Sequence, residues 1–234
     1  MANKISDDPF AYDVCGPKQL STPGLTEIFS SSWKNSDHKR KVLACFIQAV
    51  YLLELDRQTK RTPQTSLAPK WLEPSNYKLS QTLTDERDGS IFGAVLEWAG
   101  YGVLRPSGAP KAILALRGTL MYSTTMRRDF TDDLRLFVRK NLEGSVRFNA
   151  SLKALKLSVD RFGYWNVCIA GHSLGAGFAI QVGKALAKEK VFMETPFFNH
   201  KIDALNFQVL SMVMHSTDSC SIADTLHFFM LKLE

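Results

Sequence analysis

Ser173 is the serine whose neighbours most favour a catalytic role, because it lies in the sequence Gly-His-Ser-Leu-Gly at 171–175. The residues at 165–170 form a short, mostly apolar run typical of a strand, and small and apolar residues follow from Leu174 at helical spacing. A strand, a G-x-S-x-G turn and a helix are the context of a nucleophile elbow, where a serine hydroxyl is exposed on a strained turn. Gly171 and Gly175 lack a Cβ atom, so the strand and the helix can approach closely. The pattern predicts a nucleophilic serine. The alternative is a glycine-rich turn that only packs closely.

The elements that must position this turn alternate between helix and strand. In chain order we predict a helix at 36–57, a loop at 58–90, one bent or two short strands at 91–104, a strand at 111–116, a turn and short helix at 129–140, an amphipathic helix at 148–162 that stops at Gly163, a strand at 165–170, the helix after Ser173, and a strand at 191–199. This order predicts an α/β fold, with a mostly parallel sheet and helices on both faces.

The composition indicates an ordinary globular protein. The chain has 234 residues, of which 45% are hydrophobic and 22% charged, and this length suits one α/β domain. The net charge of +6 gathers in short basic clusters at 39–41, 60–61 and 127–128. One interpretation is solvated surface and the other is attraction to an anionic membrane or lipid surface, and both stay open. We expect no nucleic-acid partner, because no nucleic-acid motif accompanies the charge.

The cysteines and the N-terminal residues bear on metal binding and localisation. The four cysteines stand at 15, 45, 168 and 220, without a C-x-x-C pair, and this spacing predicts no zinc site. Cys45 and Cys168 lie in apolar segments, so we expect buried, reduced thiols and an intracellular setting. Residues 1–13 lack the apolar core of a signal peptide, and the longest nearly apolar run, at 42–55, is too short to span a bilayer. We therefore expect a cytoplasmic protein.

Three segments together resemble the class 3 (fungal-type) lipases of the α/β-hydrolase superfamily. They are Ala-Leu-Arg-Gly-Thr at 115–119, Phe-Thr-Asp-Asp-Leu at 130–134 and Ala-Gly-His-Ser-Leu-Gly-Ala at 170–176. The likeness covers about 37–199 and is closest to the plant branch labelled GDSL-type esterase/lipase, although the chain contains no GDSL motif. The resemblance implies an α/β-hydrolase fold and a serine carboxylester hydrolase of the lipase type. Its substrate would be an acyl ester or lipid, and it would use no metal or cofactor.

The resemblance also implies roles for individual residues. Ser173 matches the nucleophile, and the backbone N–H of Leu174 matches one oxyanion donor. Thr119 matches the second donor, although its residue type alone also fits a small turn residue after a strand. Losing one such donor typically costs about 2.7–4 kcal/mol of transition-state stabilisation. Asp133 matches an acidic position that would brace the Thr119 loop, and an acid at a helix N-terminus is the alternative interpretation.

The residues after position 199 depart from the family pattern. The acid and the base of the triad should follow the serine in chain order. The downstream candidates are the histidines His200, His215 and His227 and the aspartates Asp203, Asp218 and Asp224. A strand predicted at 207–214 would place Asp218 in the turn where the family's acid lies. His227 would then be the base, although its apolar neighbours also fit a histidine packed in the core.

These observations predict three segments: an irregular or disordered lead at 1–35, a hydrolase-like core at 36–199 and a divergent or truncated tail at 200–234. A serine hydroxyl is a weak nucleophile until a base takes its proton. We therefore expect weak ester hydrolysis at best. The alternative is a catalytically incomplete protein of the same fold, with a binding role or no independent activity.

Overall fold

The computed structural model describes residues 8, 10–15, 33, 36–100, 102, 104–119, 142–194, 208–212 and 228–229. Its helices are α1 (Tyr12–Cys15), α2 (Ser36–Gln58), α3 (Ala68–Leu72), α4 (Val146–Phe162) and α5 (Leu174–Glu194). Its strands are β1 (Tyr77–Thr84), β2 (Ile91–Trp98), β3 (Ala112–Leu116), β4 (Val167–His172), β5 (Gln208–Met212) and β6 (Phe228–Phe229). Short 3-10 turns lie at Glu73–Ser75 and Tyr164–Asn166.

The described strands form one sheet in which spatial order follows chain order, from β1 to β6. β3, β4 and β5 are parallel, whereas β1–β2, β2–β3 and β5–β6 are antiparallel pairs. The predicted α/β class is confirmed. The prediction of a mostly parallel sheet was wrong for the described strands, which form two parallel and three antiparallel pairs. The described connections of β1 to β2 and of β2 to β3 contain no helix, so each strand returns beside its predecessor. A parallel neighbour requires a crossover, which α4 and α5 provide for β4 and β5.

Helices cover both faces of the sheet, as the sequence predicted. α2 packs on one face, against alternate strand residues such as Ile113 and Ala170. α4 and α5 pack on the other face, against their neighbours Leu114 and Ile169. Because successive residues of a strand point to opposite faces, a strand covered on both sides is apolar throughout. Cys168 lies within the first of these cores and is a free, buried thiol, as is Cys45.

Two predicted elements were wrong. The predicted loop at 58–90 contains α3 and β1. β1 has β2 as its one described neighbour and buries Tyr77 and Leu83 among exposed residues, so its hydrophobic pattern is weak. The predicted strand at 191–199 was wrong for 191–194, which form the last turn of α5, while 195–199 lie outside the described residues. Its short apolar run fits either state, and here it extends a helix that is already formed.

Several predicted boundaries are confirmed and others were shifted. α4 ends at Phe162, and Gly163 caps it as predicted, with a φ of 78° and an N–H bond to the Val159 carbonyl. β2 is a single strand that ends at Trp98. Within the lead, α1 and the buried Trp33 are described, and Trp33 packs in the same core as α2. The predicted turn and helix at 129–140 lie outside the described residues.

Candidate active site

Ser173 stands alone between β4, which ends at His172, and α5, which begins at Leu174. Its φ of 54° lies in the left-handed region, which residues other than glycine rarely adopt. The Ala176 N–H donates to the Ser173 carbonyl at 2.9 Å, so the first turn of α5 forms directly after the serine. A backbone conformation of this kind costs on the order of 1–3 kcal/mol and persists where its surroundings impose it. The sharp turn that the sequence predicted at Ser173 is present.

The two glycines of the turn allow backbone segments to approach so closely that no side chain would fit between them. A Cβ atom on Gly171 would lie 2.2 Å from the Gly175 carbonyl oxygen. A Cβ atom on Gly175 would lie 2.5 Å from the Leu116 carbonyl oxygen and 2.6 Å from that of Arg117. The end of β4, the first turn of α5 and the end of β3 therefore meet backbone to backbone.

The carboxyl end of β3 lies directly beside the serine. β3 and β4 are parallel neighbours, with Leu116 opposite Gly171, so both strands end at the same edge of the sheet. A Cβ atom on Gly118 would lie 2.9 Å from the Ser173 Cβ atom. Thr119 follows Gly118 and is exposed, while Leu174 begins α5. Thr119 is therefore bonded to Gly118, which contacts Ser173, and Leu174 is bonded to Ser173 itself. Their oxyanion roles stay predictions.

A partly buried tyrosine connects the two sides of this site. The Gly118 N–H donates to the Tyr51 hydroxyl oxygen at 2.8 Å, and that oxygen lies 2.7 Å from His172 Nδ1. Burial raises the pKa of Tyr51 to about 12 and lowers the pKa of His172 to about 4. At neutral pH the tyrosine is therefore protonated and the imidazole uncharged, which fits a bond from Tyr51 O–H to Nδ1. With that nitrogen engaged and so little basicity, His172 is a poor base for its neighbour Ser173.

A buried arginine holds the end of β3. Arg117 is 5% exposed, and its Nε donates to the Ile91 carbonyl at 2.6 Å and its Nη1 to the Gly118 carbonyl at 2.7 Å. Burial lowers the pKa of its guanidinium group below the usual value. Glu54 lies one helical turn after Tyr51 on α2 and accepts the Ile91 N–H at 2.7 Å. Arg117 and Glu54 therefore bind the two backbone groups of one residue at the start of β2.

Glu54 is charged although its side chain is fully buried. Burial by itself would raise the pKa of its carboxyl group, but hydrogen bonds from Arg57, Ile91 and Gln58 lower the pKa below its usual value. Arg57 donates through Nε at 2.8 Å and through Nη2 at 2.6 Å, in a bidentate pair. The carboxylate is thus satisfied by its own helix and by β2.

No sequence motif indicated a role for the side chains of Tyr51, Glu54 or Arg117. Tyr51 and Glu54 stand three residues apart within the apolar run at 42–55, and residues at that spacing share a face of a helix. Polar side chains on a face that is otherwise buried are a signal of specific partners, because charged residues are rarely buried without them. The partners themselves could not be predicted, since Tyr51 and His172 are 121 positions apart.

The predicted acid and base lie outside the described residues, as do Asp133 and the other downstream histidines and aspartates. The strand predicted at 207–214 is confirmed by β5, which runs parallel to β4. Among the described residues, no group of three or more His, Cys, Asp or Glu side chains could hold a metal ion. No helix in the described ranges combines the length and apolar character needed to cross a bilayer.

Comparison with known proteins indicates the broad class of this chain. The chain is similar to a plant esterase/lipase. It is 32% identical over 186 residues to a GDSL esterase/lipase of Arabidopsis thaliana, and the match covers 77% of this chain and 53% of that protein. The chain therefore spans about half the length of this curated relative. No protein-family model and no solved structure matches the chain.

This similarity supports a relationship to proteins of the lipase/esterase type. It agrees with the likeness to the plant branch that carries the GDSL-type label. The narrower likeness to class 3 lipases depends on the motifs at 115–119 and 170–176.

Proposed function

We propose that this chain is a serine carboxylester hydrolase of the class 3 lipase type, with an α/β-hydrolase core, and that it acts on acyl esters. One observation carries the proposal: Ser173 adopts a left-handed conformation between β4 and α5, in contact with Gly118 at the end of the neighbouring β3. A strained, isolated serine at the carboxyl ends of parallel strands is the arrangement of a nucleophile elbow. The esterase/lipase name of the similar Arabidopsis thaliana protein supports the substrate class.

The proposed reaction proceeds through an acyl-enzyme. Ser173 Oγ attacks the ester carbonyl carbon as a base removes the hydroxyl proton, and the carbonyl oxygen gains the negative charge. The N–H groups of Leu174 and Thr119 would stabilise that charge, with help from the N-terminal end of α5. The alcohol leaves as it accepts the proton from the base. Water then attacks the acyl-enzyme, is deprotonated by the same base, and releases the carboxylic acid and the serine hydroxyl.

The proposed base is a histidine downstream of Ser173. His172 is unsuitable, because Nδ1 is engaged by Tyr51 and the pKa of the imidazole is about 4. His227 with Asp218 remains the pair that the sequence favours, and His200 and His215 are the other candidate bases. Any of them would have to bring a ring nitrogen within hydrogen-bond reach of Ser173 Oγ.

A second candidate is a catalytically incomplete protein of the same fold, which binds esters without hydrolysing them. The engagement of His172 favours it, since the imidazole adjacent to the nucleophile in sequence cannot substitute for a missing triad base. In this case Ser173 would react with strong electrophiles but turn over no ester, because a serine hydroxyl without a base is a weak nucleophile.

The test offers the purified chain p-nitrophenyl butyrate, p-nitrophenyl palmitate and a fluorophosphonate probe, with mass spectrometry to locate the modified residue. Ser173→Ala removes the nucleophile, while Ser158→Ala is the control, because Ser158 Oγ bonds the Ala154 carbonyl within α4. We expect modification at Ser173 and turnover that Ser173→Ala abolishes and Ser158→Ala retains. Modification without turnover would support the second candidate. A folded chain that the probe leaves unmodified would contradict both.

Histidine variants then locate the base. His200→Ala, His215→Ala and His227→Ala are compared in the same assay, with His38→Ala as a control upstream of the serine. Loss of the base is expected to lower turnover to the rate measured without protein, because a serine hydroxyl without a base is a weak nucleophile. Turnover equal to that of the wild type in all three downstream variants would exclude a histidine base after Ser173.

A further inference from the structure

The peptide groups on either side of Gly118 are both held by side chains, one from the partly buried Tyr51 and one from the buried Arg117. The N–H of the first peptide group donates to the Tyr51 hydroxyl at 2.8 Å. The carbonyl of the second accepts Arg117 Nη1 at 2.7 Å. The nitrogen of that second peptide group belongs to Thr119, the residue proposed above as an oxyanion donor.

Gly118 makes this restraint necessary. A Cβ atom at this position would lie 2.9 Å from Ser173 Cβ, 2.9 Å from the Tyr51 hydroxyl oxygen and 3.0 Å from the His172 carbonyl oxygen, so no larger residue fits. Glycine, however, leaves the backbone free to rotate, and a peptide group beside it can turn over at little cost. The close contact with the serine thus removes the side chain that would otherwise limit the backbone.

The two hydrogen bonds supply the missing limit. A trans peptide group is planar, with its carbonyl and its N–H directed to opposite sides. Once Arg117 holds the Gly118 carbonyl, the Thr119 N–H must point away from the guanidinium group. Arg117 is itself anchored, because its Nε binds the Ile91 carbonyl and Glu54 holds the Ile91 N–H. Tyr51 is anchored to β4 through His172 Nδ1.

We propose that Arg117 and Tyr51 are positioning residues that set the direction of the Thr119 N–H toward the oxyanion of the acyl-transfer reaction. This inference rests on the proposed function and deepens it. Arg117 donates to the Gly118 carbonyl, and the Tyr51 hydroxyl accepts the Gly118 N–H. Both act through the backbone of Gly118, and Tyr51 also ties that backbone to the strand that carries the serine. Misplaced donors give up transition-state stabilisation, so a small rotation of this peptide group is expected to slow reaction at Ser173.

The test compares Arg117→Lys and Tyr51→Phe with matched controls from the other end of the same strands. Lysine keeps the charge of Arg117 but loses the planar fork of donors that reaches two carbonyls at once. Phenylalanine removes the Tyr51 hydroxyl alone. The controls are Arg105→Lys, whose arginine binds the Ala109 carbonyl and Asn166, and Tyr77→Phe, whose buried hydroxyl donates to the Pro110 carbonyl.

The readouts are the rate of fluorophosphonate modification of Ser173 and the ³¹P chemical shift of the adduct, whose phosphoryl oxygen occupies the place of the oxyanion. We expect modification to slow by about 10- to 100-fold in both test variants, with a changed ³¹P shift, and neither effect in the controls. A structural role alone would change folding without changing the ³¹P shift of the folded adduct. Unchanged rates and shifts in folded test variants would overturn the proposal.

A second measurement needs no reactivity. In HNCO spectra of the unmodified protein, the Gly118 carbonyl carbon correlates with the Thr119 N–H and should move upfield in Arg117→Lys as the hydrogen bond is lost. Hydrogen exchange of the Gly118 amide should be at least tenfold faster in Tyr51→Phe. If the wild-type chain is not modified at Ser173, the proposed function fails, and these two signals decide whether the peptide restraint exists. Their absence would overturn it.

Discussion

The two ends of the β3–β4 pair use the same kinds of residue for different purposes. At the carboxyl end, Tyr51 and Arg117 bind the backbone around Gly118. At the amino end, Tyr77 and Arg105 bind carbonyls of the loop that precedes β3. At the amino end these bonds keep a loop in place. At the carboxyl end the same chemistry holds a backbone that glycine leaves free, next to a serine in a strained conformation.

The two ends also differ in what they expose. Two large apolar side chains near the amino end are mostly in solvent: Leu104 is 71% exposed and Trp165 is 75% exposed. At the carboxyl end, Arg117, Gly171 and Gly175 are buried and the backbones touch. The candidate site therefore lies at the end where backbones are in close contact, and the opposite end carries large apolar side chains that are exposed. This contrast predicts that substitutions at the two ends have effects of very different size.

The largest effect is expected from the serine itself. Ser173→Ala and Ser173→Gly should both abolish ester turnover, because either removes the nucleophile. The glycine variant should be more stable than the alanine variant by about 1 kcal/mol, because glycine adopts a φ of 54° without strain. Thermal unfolding would show this as a difference of about 2–4 °C. Identical melting temperatures would indicate that the turn stores no strain.

The next largest effect is expected when a glycine at each end is replaced by alanine and the free energy of unfolding is compared. Gly171→Ala places a Cβ atom 2.2 Å from the Gly175 carbonyl oxygen, so backbone must shift, and we expect a loss of about 3 kcal/mol in the free energy of unfolding. The control is Gly108→Ala at the amino end, where the nearest atom would be 3.6 Å away and the positive φ of 81° alone costs about 1 kcal/mol. Urea unfolding measures both. Equal losses would show that the carboxyl end is no more tightly packed.

The lowered pKa of His172 predicts a pH dependence of stability. The pKa of His172 is about 4 in the folded chain and about 6.5 when unfolded, so the unfolded state binds more protons between these values. The contribution of His172 to the free energy of unfolding is therefore fully present above pH 6.5. It is lost as pH falls toward 4, by up to about 3 kcal/mol. The facing group, Tyr51, stays protonated throughout, because its pKa is about 12.

Urea unfolding at several pH values, in the wild type and in His172→Asn, isolates this contribution, since other titrating groups are common to both. Asparagine can accept the Tyr51 hydroxyl but does not titrate. We expect the difference in stability between the two proteins to shrink or reverse as pH falls from 6.5 to 4. Parallel pH profiles would mean that His172 is not held uncharged by its surroundings.

The smallest effect is expected at the amino end. Trp165→Ser and Leu104→Ser should each change the free energy of unfolding by no more than about 0.5 kcal/mol, because little of either side chain is buried. Turnover at Ser173 should be unchanged, since both residues lie at the far end of the strands. A loss above 1 kcal/mol in either variant would contradict the contrast between the two ends.

The residues around Ser173 illustrate what local sequence could predict. An apolar run, a glycine-serine-glycine turn and a run of small residues are consecutive in the chain, so the strand, turn and helix all follow from neighbours. β1 did not follow, because it buries too few residues to produce a hydrophobic pattern. The end of α5 did not follow either, because a short run of apolar residues is compatible with both strand and helix.

By itself, the sequence determined the α/β class, the covered sheet and the turn at Ser173, because each depends on hydrophobic periodicity or on glycines close in the chain. The tertiary structure alone decided the mixed strand directions and the partners of Gly118. Tyr51 is 67 positions from Gly118 and 121 from His172, and it binds both. Hydrogen bonds over such separations are set by how α2 lies against β3 and β4, and no local pattern records that.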